Sequence, residues 1–138
     1  MTRELVLWLL QQGHEPRHLT SRSAAGEDVL TLGLKEAIHL REQGQAQLSL
    51  ALLQRMQQAG LQSAWINDNA ARALVDMGQP QLALAQWRRL RQDPDEAVRR
   101  VASDTLQQVL RPFMERLHEL CASHHWACLL YTSDAADD

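Results

Sequence analysis

Gly44 to Met56 reads Gly-Gln-Ala-Gln-Leu-Ser-Leu-Ala-Leu-Leu-Gln-Arg-Met, and Gly78 to Leu90 reads Gly-Gln-Pro-Gln-Leu-Ala-Leu-Ala-Gln-Trp-Arg-Arg-Leu. The second stretch begins 34 residues after the first, and seven of the thirteen aligned positions are identical. A chain that repeats itself at such a period stacks small helical units. Each unit leaves an apolar face that only a neighbour can cover.

Composition agrees with helices. Leu, Ala, Gln and Arg dominate, and all four favour helix. No alternating run of β-branched or aromatic residues suggests a strand. The formal charge of −3 comes from Asp134, Asp137 and Asp138, and without them acids and bases balance. A near-neutral body gives no electrostatic reason to expect nucleic acid or an anionic membrane as partner. Leu5 to Leu10 is too short an apolar run to span a bilayer, and Glu4 beside Arg3 spoils an export signal. The expected compartment is the cytoplasm. The two cysteines make no disulfide framework.

Residues 1–29 read as a short amphipathic helix, carrying Leu5, Trp8 and Leu9, followed by an aperiodic stretch from Gly13 to Asp28. That stretch is expected to be a linker or a loosely docked arm, with His14 and His18 solvated beside Pro16. The first helix can belong to a preceding unit. Residues 30–63 form the first repeat. Its first helix carries Leu34, Ala37, Ile38 and Leu40, and its second Leu48, Leu52, Leu53 and Met56. Residues 64–97 form the second, with Ser63 as cap. Ile66, Ala70, Ala73, Leu74 and Met77 line one face, and Leu82, Ala83, Trp87 and Leu90 the other buried face. Gly44, Gly60 and Gly78 end helices, because glycine takes the left-handed position after a helix without steric cost. Asp93, Pro94 and Glu96 predict a helix start with Asp93 as cap and Pro94 in the first turn. Residues 98–127 are expected to form a capping helix pair or a third repeat, kinked or restarted at Pro112.

The repeat resembles the tetratricopeptide repeat over residues 30–97. Asn69, Ala73, Gly78, Ala83 and Trp87 stand where that family has Asn, Ala, Gly, Ala and an aromatic. Gly44, Ser49 and Leu53 match the last three more loosely. Leu40 and Leu74 replace an expected aromatic, and Leu90 replaces a small residue. The resemblance implies an all-α fold, a short right-handed α-solenoid of antiparallel helix pairs. The segment from Asp93 to Ala102 also looks like the start of a HEAT-repeat helix, so the last unit fits either family. Residues 128–138 change character, closely resembling translated sequencing adapter, and are read as a non-native tail.

Ligands of the family usually lie along the concave face of the first helices. Carried over, that face comprises Leu34, Ile38, Arg41, Trp65, Asp68, Asn69, Arg72 and Asp76, with Thr31, Lys35, Glu42 and Val75 around them. Some members clamp a partner's terminal carboxylates. Asn69 and Arg99 could match that clamp, but Leu34 and Ile38 take polar positions and Ser103 replaces a base, which disfavours it.

His118, Cys121, His125 and Cys128 share one helical face, but four ligands along a straight helix span about 15 Å, too far to meet one ion. Arginines between Arg88 and Arg116 are interleaved with Asp93, Asp95, Glu96, Asp104 and Glu115, as on a solvated face. No phosphate loop, nucleophile elbow or zinc-protease motif occurs. The expectation is a non-catalytic module that needs no cofactor or metal and binds a protein or peptide, with no role for nucleic acid or membrane. Self-association through uncapped repeat ends would also be open to it. The alternative is an accessory repeat segment of a larger truncated enzyme, such as a transferase.

Overall fold

The computed structural model describes residues 2–20 and 28–123. All regular structure among them is helical: α1 (Thr2–Gln11), α2 (Val29–Glu42), α3 (Ala46–Gln58), α4 (Ala64–Asp76), α5 (Pro80–Leu90) and α6 (Glu96–Ser123). The chain divides into two compact units, Met1–Ala102 and Ser103–Asp138.

In the first unit α2 packs on α3, α4 on α5, α3 on α4 and α2 on α4, and α1 lies on α3. The turns between paired helices are short because their glycines reverse the chain at once. Gly44 and Gly78 both sit at φ +79°. At each turn two amides fold back onto the helix end. The Gly44 N–H donates to the Arg41 carbonyl at 3.0 Å, and the Gln45 N–H to that of Leu40 at 2.9 Å. The Gly78 and Gln79 amides donate in the same way to Val75 and Leu74. Both turns therefore satisfy carbonyls that a helix end leaves orphaned.

One continuous core runs through Leu5, Leu9, Leu19, Ala37, Leu40, Leu52, Leu53, Met56 and Ile66. Farther along, Ala83, Trp87 and Leu90 of α5 are buried at i, i+4 and i+7. Leu82 is the exception to the expected face, at 56% exposed. It sits about 100° round the helix from Ala83, off that stripe. Its counterpart one repeat earlier, Leu48, lines a cleft with Trp8 of α1 and is half-buried. In α4 the inward residues include Ala71 and Asp68, while Ala70 and Met77 are only half-buried.

The aperiodic stretch differs from a linker where it is described. Residues 14–20 form a strap fastened to α2, and His14 is buried. Residues 21–27 lie outside the described residues.

The start of α6 falls later than expected. Asp93 accepts the Asp95 N–H at 2.9 Å, a local turn that spends its carboxylate before the helix. Asp95 is the cap, accepting the Ala97 N–H at 2.9 Å. Pro94 thus precedes the helix. Pro112 does not restart α6, which is one helix from Glu96 to Ser123. A proline removes one helical hydrogen bond, to the carbonyl four residues earlier. That residue, Gln108, is exposed, so water can take its place. In the second unit Phe113, Met114, Leu117 and Leu120 of α6 are exposed. His125 and Cys128, like the whole 128–138 tail, fall outside the described residues.

Candidate functional site

The first helices of the two repeats, α2 and α4, lie side by side. Leu34, Ile38 and Arg41 recur at i, i+4 and i+7 on α2, so they share one stripe. All three are half-buried. From α4 come Trp65, Asn69 and Arg72, also half-buried, with Asp76 exposed at the end. Ser63 caps α4 by accepting the Trp65 N–H at 3.2 Å, which fixes where Trp65 leaves the helix. Asn69 turns one amide N–H back onto its own helix. It donates to the Trp65 carbonyl at 2.8 Å.

Charge binds the two helices together. Arg41 Nε lies 3.7 Å from Asp76 Oδ2, an ion pair from one repeat to the next. Burial pulls the Arg41 guanidinium below the usual arginine range; Asp76 opposes this, and Arg72 adds to the fall by repulsion. Arg72 in turn donates from Nε to Asp68 Oδ2 at 3.0 Å, one turn earlier on α4.

Asp68 is placed differently from the rest of the expected set. It is 5% exposed. The Trp87 indole N–H donates to its other oxygen, Oδ1, at 3.0 Å. Both carboxylate oxygens therefore serve the protein itself, pinning α5 and Arg72 to α4. A buried charge needs such partners. Of the expected contact residues, Leu34, Ile38, Arg41, Trp65, Arg72 and Asp76 keep part of their surface exposed. Arg99, the other half of the incomplete clamp, donates from Nη1 to the Asp93 and Pro94 carbonyls at 2.7 and 2.8 Å. It holds the turn before α6.

Sequence reading missed Glu36, which is fully buried on α2. Its Oε1 accepts backbone N–H groups from Arg17, His18 and Leu19 at 2.8, 3.0 and 3.4 Å. His14 Nε2 lies 3.4 Å from Oε2. The rings of His14 and His18 stand 6.2 and 5.7 Å from that of His39. His14, Arg17, His39 and Gln43 border an open cleft of about 520 Å³ there. No sequence motif marks Glu36, because its main donors are backbone amides, which every residue but proline carries.

Among the described residues no group of three or more His, Cys, Asp or Glu side chains is placed to hold a metal ion. No helix among them is long and apolar enough to cross a membrane. Compared with known proteins, the chain matches no family model, no curated protein and no solved structure.

Proposed function

We propose that the first unit is a tetratricopeptide-like stack that works without catalysis, docking a peptide or a partner domain on the α2–α4 face. The observation that carries this reading is the Arg41–Asp76 ion pair across the repeat boundary. It joins the stripes of two successive first helices into one surface. That surface mixes half-buried apolar groups, Leu34, Ile38 and Trp65, with two arginines, a composition suited to a protein ligand. The paired helices and their matched glycine turns support the repeat reading. Two first helices give a short surface, which suits an extended or helical segment better than a broad domain.

A photo-activated crosslinker placed at Ile38 tests this face. The expected result is a trapped partner protein at Ile38 and none at Gln54, an exposed position on α3. Arg41→Glu should abolish the trapping while circular dichroism shows unchanged helicity. Equal trapping at both positions would remove the α2–α4 face from consideration.

A further inference from the structure

Glu36 takes no part in the proposed docking. It lies two residues, about 200° round the helix, from both Leu34 and Ile38. Its carboxylate is fully buried, and one of its oxygens meets three successive backbone N–H groups of the strap. Convergent amides of this kind form an anion-binding nest. The strap is closed on itself where the Thr20 hydroxyl donates to the Pro16 carbonyl at 3.0 Å. It also delivers Leu19 into the core, where Leu5 and Leu9 of α1 join the same cluster.

We propose that Thr2–Thr20 is a detachable cap on the α2–α3 pair, that α1 and the strap leave together in one step, and that Glu36 is its latch. The reason for one step is the buried charge. A buried carboxylate stripped of some donors is left uncompensated, so intermediate states are unfavourable. Either the nest is closed or the carboxylate is in water. Hydrating it requires the strap to lift, and lifting withdraws Leu19 from beside Leu5 and Leu9. A ten-residue helix such as α1 has little stability of its own once its packing is lost. It therefore melts with the strap. The open state bares the core surface around Leu40, Leu52, Leu53 and Met56, which the cap helps to cover. The α2–α4 docking face keeps its shape in either state, so capping and docking are separable.

Hydrogen exchange on the full chain, read by mass spectrometry, tests the latch. Amides of α1 and of Arg17, His18 and Leu19 should exchange through a common opening, about ten-fold or more faster than those of α4 and α5. Glu36→Gln keeps the shape and removes the charge. It should speed exchange in α1 and the strap by one shared factor and leave α4 and α5 unchanged. A second variant guards against misfolding of the first. Leu9→Ala weakens α1 away from the latch, and it should speed the strap amides as much as those of α1. Strap and α1 amides that respond by different factors overturn the proposal. So does a Glu36→Gln protein with unchanged exchange, or with exchange raised equally in every helix.

Discussion

Gly33 of α2 lies against Met56 of α3 so closely that a Cβ on the glycine would stand 2.6 Å from the methionine Cε and 2.7 Å from its Sδ. The two helices cross where one of them carries no side chain. Gly33→Ala gains about 1 kcal/mol in helix propensity. It also displaces the thioether of a fully buried methionine, an overpacking that costs about 1–3 kcal/mol. A net loss of stability is expected. Met56→Ala alone should cost about 2–5 kcal/mol. Together the two should cost less than their sum, since the new methyl enters the space the thioether leaves. Urea denaturation of the four proteins measures the coupling, and strict additivity would argue against this crossing.

The Asp68–Trp87 hydrogen bond should show the same kind of coupling through a different physics. Asp68→Ala strands the buried indole N–H and removes the acceptor of Arg72. Trp87→Phe strands one carboxylate oxygen. Each change is expected to cost about 1–3 kcal/mol. The double variant should cost less than the two added, because it leaves neither group of the bond waiting for the other. A thermodynamic cycle with zero coupling would contradict the 3.0 Å contact.

Gly44→Ala and Gly78→Ala isolate backbone strain from packing. Both glycines have φ +79°, and a Cβ at either would meet nothing within 4 Å. The cost is therefore that of a left-handed alanine, about 1–2 kcal/mol. It should be nearly equal at the two turns. Thermal melts that separate the two variants widely would show that the turns are not equivalent.

Asp28 gives the α2 N-terminus a dependence on acid. Its carboxylate accepts the Thr31 N–H at 2.9 Å and the Thr31 hydroxyl at 2.7 Å, and these bonds hold it below the usual aspartate range. A carboxyl group with a lowered folded-state value contributes stability above its unfolded value, about 3.9. That contribution is lost as pH falls through the lower, folded value. Asp28→Asn retains a cap but cannot titrate. The expected outcome is a smaller loss of stability between pH 5 and pH 2, by about one group's worth. Identical acid profiles for the two proteins would count against the cap.

Local chemistry made part of this fold legible. The turns at Gly44 and Gly78 are a property of glycine itself, and the buried stripes Leu52–Leu53–Met56 and Ala83–Trp87–Leu90 follow from helical period. Leu82 misled because period alone cannot say which apolar residue at a stripe's edge finds a neighbour. Asp68 and Glu36 were illegible for another reason. A carboxylate reads as surface in any pattern, and only a partner far along the chain reveals that it is inside. Trp87 is that partner for Asp68, and the amides of residues 17–19 are for Glu36. The strap had no periodicity to find, since backbone donors rather than apolar spacing hold it to α2. Pro112 suggested a restart, yet an exposed helix can hydrate the carbonyl that proline orphans.

The two repeats, alike from Gly44 and Gly78 onward, carry unlike chemistry between their paired helices. Positions 34 and 53 of the first copy are both leucine, whereas the same seats in the second are Asp68 and Trp87. Putting α3 into the place that α5 takes on α4 would set the Asp68 carboxylate opposite a leucine. Seating α5 against α2 would leave an indole N–H facing hydrocarbon. Each mismatch penalises a helix that folds onto the wrong copy. Asp68 and Trp87 thus mark which helix belongs with which, in a chain whose α3 and α5 begin alike.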